Sequence, residues 1–377
     1  MVFQCRSPQK EIDTENYYSD IISTGGKHIL YENIDLQKIT IENLNSSYIG
    51  YLRVMGDSLY FVDVPLSRLF PMDFQGLTSG FRLGQGRGPQ EYFGGVIEEI
   101  FKTKDHNYLI LGPSWDLHLF NESWEFQNVI RLDWGLQHTQ VEREQNPQPD
   151  MPGVYDLALD AGNIRAQIHE NYIYLEMYSE HPGFNMINFR DYYRKGRLIA
   201  RINYLTGKVD EYLGVRSPVY ENYEFIGHLS RFYHWVDGYN QRTFLSFPPD
   251  SLIYLCDMDF MPIEAFGRAG KDMNTDYTQF SGDDYYHFRE IFASDLGSKG
   301  YYTAIEFVPQ KDLLFRSYTK GKHSDFDGLQ IYKDRVLIAD LDVPKGFKVM
   351  GYIDPYFFGN PVIDLDNKSI TIFRFKL

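Results

Sequence analysis

Residues 56–59 have the order Gly-Asp-Ser-Leu, a block that carries the serine nucleophile of some ester hydrolases. A histidine and an acid would have to activate that serine, and Asp284 and His287 stand three residues apart further along the chain. In such enzymes the serine lies on a turn that leads into a helix, whereas Ser58 leads into the apolar run 59–62. We therefore interpret the block as a turn between strands and predict no catalytic residue.

Residues 84–89, Gly-Gln-Gly-Arg-Gly-Pro, have the glycine spacing of a phosphate-binding loop. That motif needs a third glycine where this chain has Pro89, and a helix whose N-terminus faces the phosphate must follow it. No helical pattern follows here. Glycines at alternate positions allow positive φ, and proline fixes φ and removes a donor, so the segment predicts a tight, exposed connection between two sheets.

Residues 272–276, Asp-Met-Asn-Thr-Asp, with Asp283 at the twelfth place, have part of the spacing of a calcium loop. Tyr277 occupies the place where such a loop needs glycine, which favours a plain acidic loop. The ten histidines form no pair two or four residues apart. We therefore predict no cofactor; the alternative is a divalent ion such as calcium, bound by residues from distant parts of the chain.

Aromatic side chains are the strongest candidates for ligand contacts, because flat rings stack on sugars and peptides. The segment 283–290 combines aromatic, basic and acidic residues, and we predict that it is an exposed loop. The alternative is that these rings serve ordinary packing in a chain with 30 Tyr and 28 Phe. The predicted binding residues are Trp115, Tyr233, Trp235, Tyr285, Tyr286, His287 and Arg289.

The two cysteines, Cys5 and Cys256, are too few for a disulfide framework. Cys256 ends the apolar run 251–256 and is interpreted as a small apolar strand residue. Cys5 follows Val-Phe-Gln and precedes a polar stretch, which resembles the acylation site of a bacterial lipoprotein, although the apolar segment is missing and Gln4 replaces a small residue. Lipidation at Cys5 is one expectation, and an accidental match is the other.

The composition excludes two classes of partner. The chain has 37 basic and 52 acidic residues, and the resulting net charge of −15 repels a phosphate backbone, so nucleic acid is not expected as a partner. No run of about 18 apolar residues occurs, so no transmembrane span is expected.

The polar, proline-containing segment 136–150 predicts a mobile loop.

Short strand patterns separated by turn residues recur along the chain, whereas helical periodicity is scarce. Five units, at about 48–83, 95–132, 171–214, 224–267 and 302–352, have the length of one four-stranded propeller blade with insertions. The hairpin at 361–375 supplies half of a sixth blade, whose missing outer strand comes from 28–34 or 38–41 near the N-terminus. The prediction is an all-β, six-bladed β-propeller, with residues 1–26 as a polar tether and residues 27–377 as a single domain.

Two connectors carry a resemblance to a known family. Residues 84–92 with the strands at 107–111 and 117–120 resemble an NHL-type repeat, and residues 266–271 are a second copy. The chain is similar to the six-bladed NHL or TolB-like propeller lipoproteins of Bacteroides-type bacteria, largely of unknown function. The first copy departs from the family pattern at Phe81-Arg82, where the family has Phe-Gly.

The resemblance implies a non-catalytic binding propeller of the cell envelope, periplasmic or anchored in the outer membrane, with a protein, peptide or glycan partner. The alternative function is a lactonase- or lyase-like propeller enzyme with a divalent metal in the central channel. The alternative location is the cytoplasm, for a scaffold without a lipid anchor. Fold alone does not decide between them.

Overall fold

A computed structural model of the chain describes residues 17–135, 138–158, 166–187, 190–223, 226–279, 285–321 and 323–377. Nearly all of its regular structure is β-strand, arranged as six antiparallel sheets around a central axis. The predicted six-bladed β-propeller is confirmed. No helix in these ranges has the length and apolar character needed to cross a bilayer.

The N-terminal segment runs along the outside of three blades before the ring begins. Strand β1 (Ile22–Ser23) pairs in parallel with the outer strand of the fourth blade, and β2 (Gly26–Lys27) pairs in the same way with the fifth. Strand β3 (Gln37–Glu42) is the outer strand of the sixth blade. We call residues 17–42 the strap. The first part of the predicted tether, residues 1–16 with Cys5, lies outside the described residues.

The first two blades follow directly. The first consists of β4 (Gly50–Met55), β5 (Ser58–Asp63), β6 (Arg68–Met72) and β7 (Arg82–Leu83), and the second of β8 (Glu99–Lys102), β9 (Tyr108–Leu111), β10 (Asp116–Phe120) and β11 (Phe126–Arg131). Ser58 pairs with Met55 across a turn in which Gly56 has φ +61°. The interpretation of residues 56–59 as a turn is therefore confirmed.

The third blade is the most elaborated. Its principal strands are β13 (Gln167–His169), β14 (Tyr172–Tyr178), β17 (Ile199–Asn203) and β18 (Lys208–Leu213), and β12 (Asp156–Leu157) also pairs with β14. Helix α1 (Gln140–Gln145) precedes it, and the hairpin β15 (Glu180–His181) and β16 (Phe184–Asn185) and helix α2 (Arg190–Lys195) are inserted between β14 and β17. The fourth blade is regular, with β19 (Tyr233–Asp237), β20 (Arg242–Ser246), β21 (Ile253–Cys256) and β22 (Pro262–Phe266).

Helix α3 (Tyr285–Ser298) leads into the fifth blade, which consists of β23 (Tyr301–Val308), β24 (Leu313–Thr319), β25 (Asp327–Lys333) and β26 (Val336–Val343). The sixth blade combines β27 (Val349–Ile353), β28 (Tyr356–Asp364) and β29 (Ser369–Phe375) with β3. The C-terminus thus supplies three strands rather than half a blade. Of the two predicted closing segments, 38–41 is correct, because Ile41 pairs with Ile370 and Ile39 with Ile372.

Apolar side chains between neighbouring blades form the core. Phe244 of the fourth blade and Phe307 of the fifth place their ring centroids 5.1 Å apart, and Phe357 stacks on Phe375 within the sixth blade. Cys256 is fully buried at the end of β21, as predicted, and burial raises the pKa of its thiol well above the ordinary value. The aromatic content of the chain therefore serves mainly to fill the space between twisted sheets.

The two faces of the ring differ strongly. On one face the strands are joined by short turns, for example at 56–57, 170–171, 238–241 and 309–312. On the opposite face, where each inner strand begins, long segments are inserted around the third to fifth blades, at 132–166, 179–198, 214–232 and 267–300. We call this the insertion face. Insertions concentrated on one side of a rigid scaffold are typical of a binding surface.

Two predictions about loops are wrong in part. The segment 283–290 is not a loop from Tyr285 onward but the start of α3, in which Phe288 and Ile291 are buried one turn apart. The segment 136–150 contains α1, whose first turn is a capping box between Thr139 and Glu142. In both places a helical period or cap stands within a polar sequence, which hides it.

The glycine-rich connector joins β7 to the second blade, as predicted, but its glycines serve different purposes. Only Gly84 of the three has a positive φ, +124°. A Cβ at Gly86 would lie 2.0 Å from a carboxylate oxygen of Glu91 and would displace that side chain, and the Gly88 amide donates to that same oxygen, Oε2, at 2.7 Å. The turn is therefore closed around Glu91 rather than by glycine freedom throughout.

Candidate functional site

A cavity of about 520 Å³ opens on the insertion face, between the third, fourth and fifth blades. Its lining includes the ends of inner strands, with Tyr233 at the start of β19 and Thr303 in β23. Its walls come from the inserted segments, including Met186, Phe292 of α3 and the stretch 227–232. We call it the face cavity. Its volume lies within the range of pockets that enclose small organic ligands.

Arg216 is a buried cation in the wall of this cavity. It follows β18, and two tyrosines of α2 contact its side chain. The guanidinium carbon lies 4.5 Å from the centroid of the Tyr192 ring and 5.8 Å from that of Tyr193, and Nη2 donates to the Tyr192 hydroxyl at 3.2 Å. Nε donates to the carbonyl oxygen of Ser230 at 3.2 Å. The insertion between β14 and β17 therefore fixes the position of this charge.

The Arg216 guanidinium lacks a carboxylate partner among the described residues, and its Nη1 has no hydrogen-bond acceptor there. Arg316, also buried without a carboxylate, differs. Its guanidinium donates to the carbonyl oxygens of 250, 251 and 252 and to the hydroxyl of Ser246, and it stacks on Tyr302. The fold thus satisfies one buried arginine fully and leaves the one in the cavity wall with unused donor capacity.

Glu176 is an acidic residue in the cavity wall, and it is buried. Its Oε1 lies 3.3 Å from Nδ1 of His234, which is the second residue of β19. The pair joins the third blade to the fourth below the cavity. Glu176 thus faces His234, and no ion pair joins it to Arg216 in the described part of the structure.

His228 also lines the cavity, on the inserted segment before β19. Its Nε2 lies 3.2 Å from Oδ2 of Asp295 on α3, and both side chains are buried. Asp295 in turn accepts hydrogen bonds from the amide and the hydroxyl of Thr278, at 2.7 and 2.8 Å. Burial lowers the pKa of His228, and the Asp295 carboxylate opposes that effect.

The charge of the cavity lining is opposite to that of the whole chain. Three basic residues, Arg216, Arg231 and Lys348, line it, against one acidic residue, Glu176, among the described lining residues. The chain as a whole has a net charge of −15. A local excess of positive charge in an acidic protein favours the binding of an anion at that place.

The structure places one of the predicted binding residues in the cavity wall, Tyr233. Trp115 lies on a turn of the second blade, where its ring packs edge-on against Trp134 at 5.4 Å, and Trp235 packs between the fourth and fifth blades. His287 and Arg289 are exposed on α3. The side chains of Tyr285 and Tyr286 lie outside the described part of the chain.

Sequence reasoning missed Arg216, His228 and Lys348. A faint signal exists for the first two, because Arg216 follows the apolar end of β18 and His228 stands between Ile226 and Leu229. A charged or titratable side chain within an apolar stretch indicates a buried polar group that needs a partner. Nothing in the spacing of these residues shows that they meet at one cavity.

Metal ligands do not cluster in the described ranges: no group of three or more His, Cys, Asp or Glu side chains there is arranged to hold an ion. In the segment with calcium-like spacing, Asn274 Oδ1 accepts the amide of Asp276 at 3.1 Å, and Asp283 lies outside the described residues.

No protein-family model and no curated protein matches the sequence. Solved structures do match. A member of the DUF4221 family from Bacteroides vulgatus ATCC 8482 is 13% identical, with a TM-score of 0.63, over 92% of this chain and 98% of that one. A protein of Bacteroides fragilis NCTC 9343, named as a predicted exported protein, is 14% identical, with a TM-score of 0.53, over 95% and 99%.

At these identities the likeness shows the fold, which is the six-bladed propeller. Both structures come from Bacteroides, so the predicted similarity to propellers of such bacteria is confirmed at the level of structure. The NHL-type repeat and the lipid anchor stay predictions.

Proposed function

We propose that this chain is a binding propeller that takes its ligand into the face cavity. The observation that carries the proposal is the cavity itself, because inserted segments from three successive blade junctions enclose about 520 Å³ on one face of the ring. Its wall combines aromatic rings, such as Tyr233 and Phe292, with a few fixed polar groups, which is the usual composition of a small-molecule site.

We place this activity in the cell envelope. The support is the structural similarity to a Bacteroides protein named as a predicted exported protein, together with the lipoprotein-like sequence around Cys5. A binding protein in that compartment meets glycans and peptides from outside the cell. Metabolic labelling with a palmitate analogue, compared between the natural chain and Cys5→Ser, tests the anchor: loss of the label in the variant supports it, and an unlabelled natural chain excludes it.

The binding site is tested by filling it. A glycan and peptide panel is screened by thermal shift, since a ligand that binds the native state raises the melting temperature. Thr303→Trp places a large side chain in the cavity, whereas Ile49→Trp adds one at an exposed position outside it. We expect Thr303→Trp to weaken a hit at least about tenfold and Ile49→Trp to leave it unchanged. Equal binding by both variants would exclude the cavity as the site.

A second candidate function is acid–base catalysis in the same cavity. The observation in its favour is the buried pair His228 and Asp295, because a histidine held by a carboxylate can accept a proton from a bound substrate. Turnover of a panel hit, abolished in His228→Gln while binding persists, would support this function. Binding without turnover by the natural chain would exclude it for that ligand.

A further inference from the structure

We infer that the ligand of the face cavity is an anionic saccharide whose acidic group pairs with Arg216. This inference rests on the proposed binding function and adds the chemical class of the ligand. The acidic group is an oxyanion carried by a sugar ring. It is either a carboxylate, which is planar, or a sulfate, which is tetrahedral. A guanidinium offers such groups two parallel N–H donors.

The first argument is the incomplete set of partners around Arg216. A guanidinium has five N–H donors, and the described residues provide two acceptors for that of Arg216, the Ser230 carbonyl and the Tyr192 hydroxyl. Arg316 has four acceptors and an aromatic ring beneath it. An oxyanion bound beside Arg216 would supply both the missing acceptors and the missing negative charge.

The second argument is the distribution of charge. Arg231 and Lys348 stand in the same lining as Arg216, and they come from different parts of the ring, the segment before β19 and the segment before β27. Three cations brought together in a chain with an excess of acidic residues attract an anion from solution and strengthen its binding once water is displaced.

The third argument favours a saccharide over an extended peptide. Peptides are commonly held as an added strand at a free sheet edge, but β1 and β2 already cover the outer edges of the fourth and fifth blades, two of the blades beside the cavity. The face cavity is instead a compact space with aromatic walls, including Tyr233, Tyr301 and Phe292. Its volume suits a ligand of about two sugar rings.

The test compares digalacturonate with its dimethyl ester, which has the same rings without the charges, and with a sulfated disaccharide and an acidic dipeptide. Binding is measured by calorimetry at low and high salt. We expect an acidic saccharide to bind at least about tenfold more tightly than the neutral ester and to weaken as salt is added. Arg216→Met should lose at least about thirtyfold in affinity, the usual effect of removing one member of a buried charge pair.

The variants are chosen so that misfolding cannot decide the outcome. Lys348→Gln changes a half-buried cation of the same lining and should weaken binding severalfold, and Arg131→Gln, on the exposed outer strand of the second blade, should have no effect. If Arg216→Met does not fold, Lys348→Gln and the salt dependence decide.

Equal binding of acid and ester, sensitive to Thr303→Trp, would overturn the inference and leave the binding function intact. Preference for the acidic dipeptide would also overturn it. Failure of every saccharide and of the wider panel to bind would overturn both.

Discussion

Arg316 shows how a single buried cation ties two blades together. It belongs to β24 in the fifth blade, and its guanidinium donates to three successive carbonyl oxygens of the fourth blade. Those carbonyls, at 250 to 252, lie on the tight turn between β20 and β21. A turn whose carbonyls point inward would otherwise leave buried acceptors unsatisfied.

We expect Arg316→Met to lower the free energy of unfolding by about 3 to 5 kcal/mol, because it leaves several buried acceptors without donors. Urea unfolding measures the change. Arg131→Met, at a side chain that is 87% exposed, should change it by less than about 0.5 kcal/mol. A loss below about 1 kcal/mol for Arg316→Met would show that these hydrogen bonds are not needed for stability.

Two buried histidines predict a pH dependence of stability. Burial lowers the pKa of both His118 and His228 from the ordinary value of 6.5. The unfolded chain therefore takes up protons at a higher pH than the folded chain does, so stability is full above about pH 6.5 and falls as the pH drops below it. For each histidine the slope is at most about 1.4 kcal/mol per pH unit.

The measurement is the free energy of unfolding between pH 7.5 and 5.5. We expect a decline with acidification in the natural chain and a shallower one in the double variant His118→Gln, His228→Gln. The comparison concerns slopes, so a uniform loss of stability in the variant does not affect it. Equal slopes would contradict the proposed role of these two groups.

At the scale of the residue, the sequence predicts residues whose role follows from their neighbours in the chain. It does not predict residues that come together only in the folded ring. Cys256 was identified as a buried strand residue because the run around it is apolar, and Tyr233 was selected for its ring. Arg216 and Lys348 were not found, since they are far apart in sequence and meet only when the ring closes. Contacts of that kind leave no periodic trace in one sequence.

The elements that matter most for assembly are the three strap strands. Strands β1 and β2 cover the outer edges of the fourth and fifth blades, and β3 completes the sixth blade by pairing along six residues with β29, from the opposite end of the chain. Tyr17 and Tyr18 attach the start of the strap to the ring, since their hydroxyls donate to the carbonyl oxygens of Phe260 and Val215. The strap therefore closes the ring and protects its edges.

Two truncations separate these roles. Deletion of residues 1–27 removes β1, β2 and the buried tyrosines but keeps β3, and we expect a folded monomer with a loss of about 3 kcal/mol in stability. Deletion of residues 1–43 also removes β3, exposing the β29 edge, and we expect aggregation. Thermal melts and gel filtration measure both. Equal stability after the first deletion would show that β1 and β2 are dispensable, and a stable monomer after the second would show that β3 does not close the ring.

The recurring strand patterns made the blades predictable from the sequence. The helices were missed because they lie in polar segments without a clear apolar period. Short apolar runs, such as 59–62 in β5 and 108–111 in β9, indicate buried strands from the sequence, whereas α3 begins after a polar stretch and buries only part of its surface. The capping box of α1 was visible as Thr139 and Glu142, three residues apart, but it stands within a proline-containing polar segment. Tertiary contacts hold α3, which buries Phe288 and Ile291, whereas α1 buries no residue and is stabilised at its first turn by the capping box.

The whole molecule combines a regular ring with one irregular face. Closure by β3 and β29 fixes the six blades, so residues between 158 and 348, from the third blade to the segment before the sixth, can line a single cavity. The chain has a net negative charge, whereas basic residues outnumber acidic ones among the described residues that line the cavity. This division is a property of the closed ring and not of any single segment.

The central claim is that a ligand binds in the face cavity, beside Arg216. The most direct test is a crystal structure of the protein soaked with the tightest acidic saccharide of the panel. We expect ligand density between the third and fifth blades, with an oxyanion within hydrogen-bonding distance of the Arg216 guanidinium. Density on the opposite face, or at a blade edge with the cavity empty, would contradict the claim.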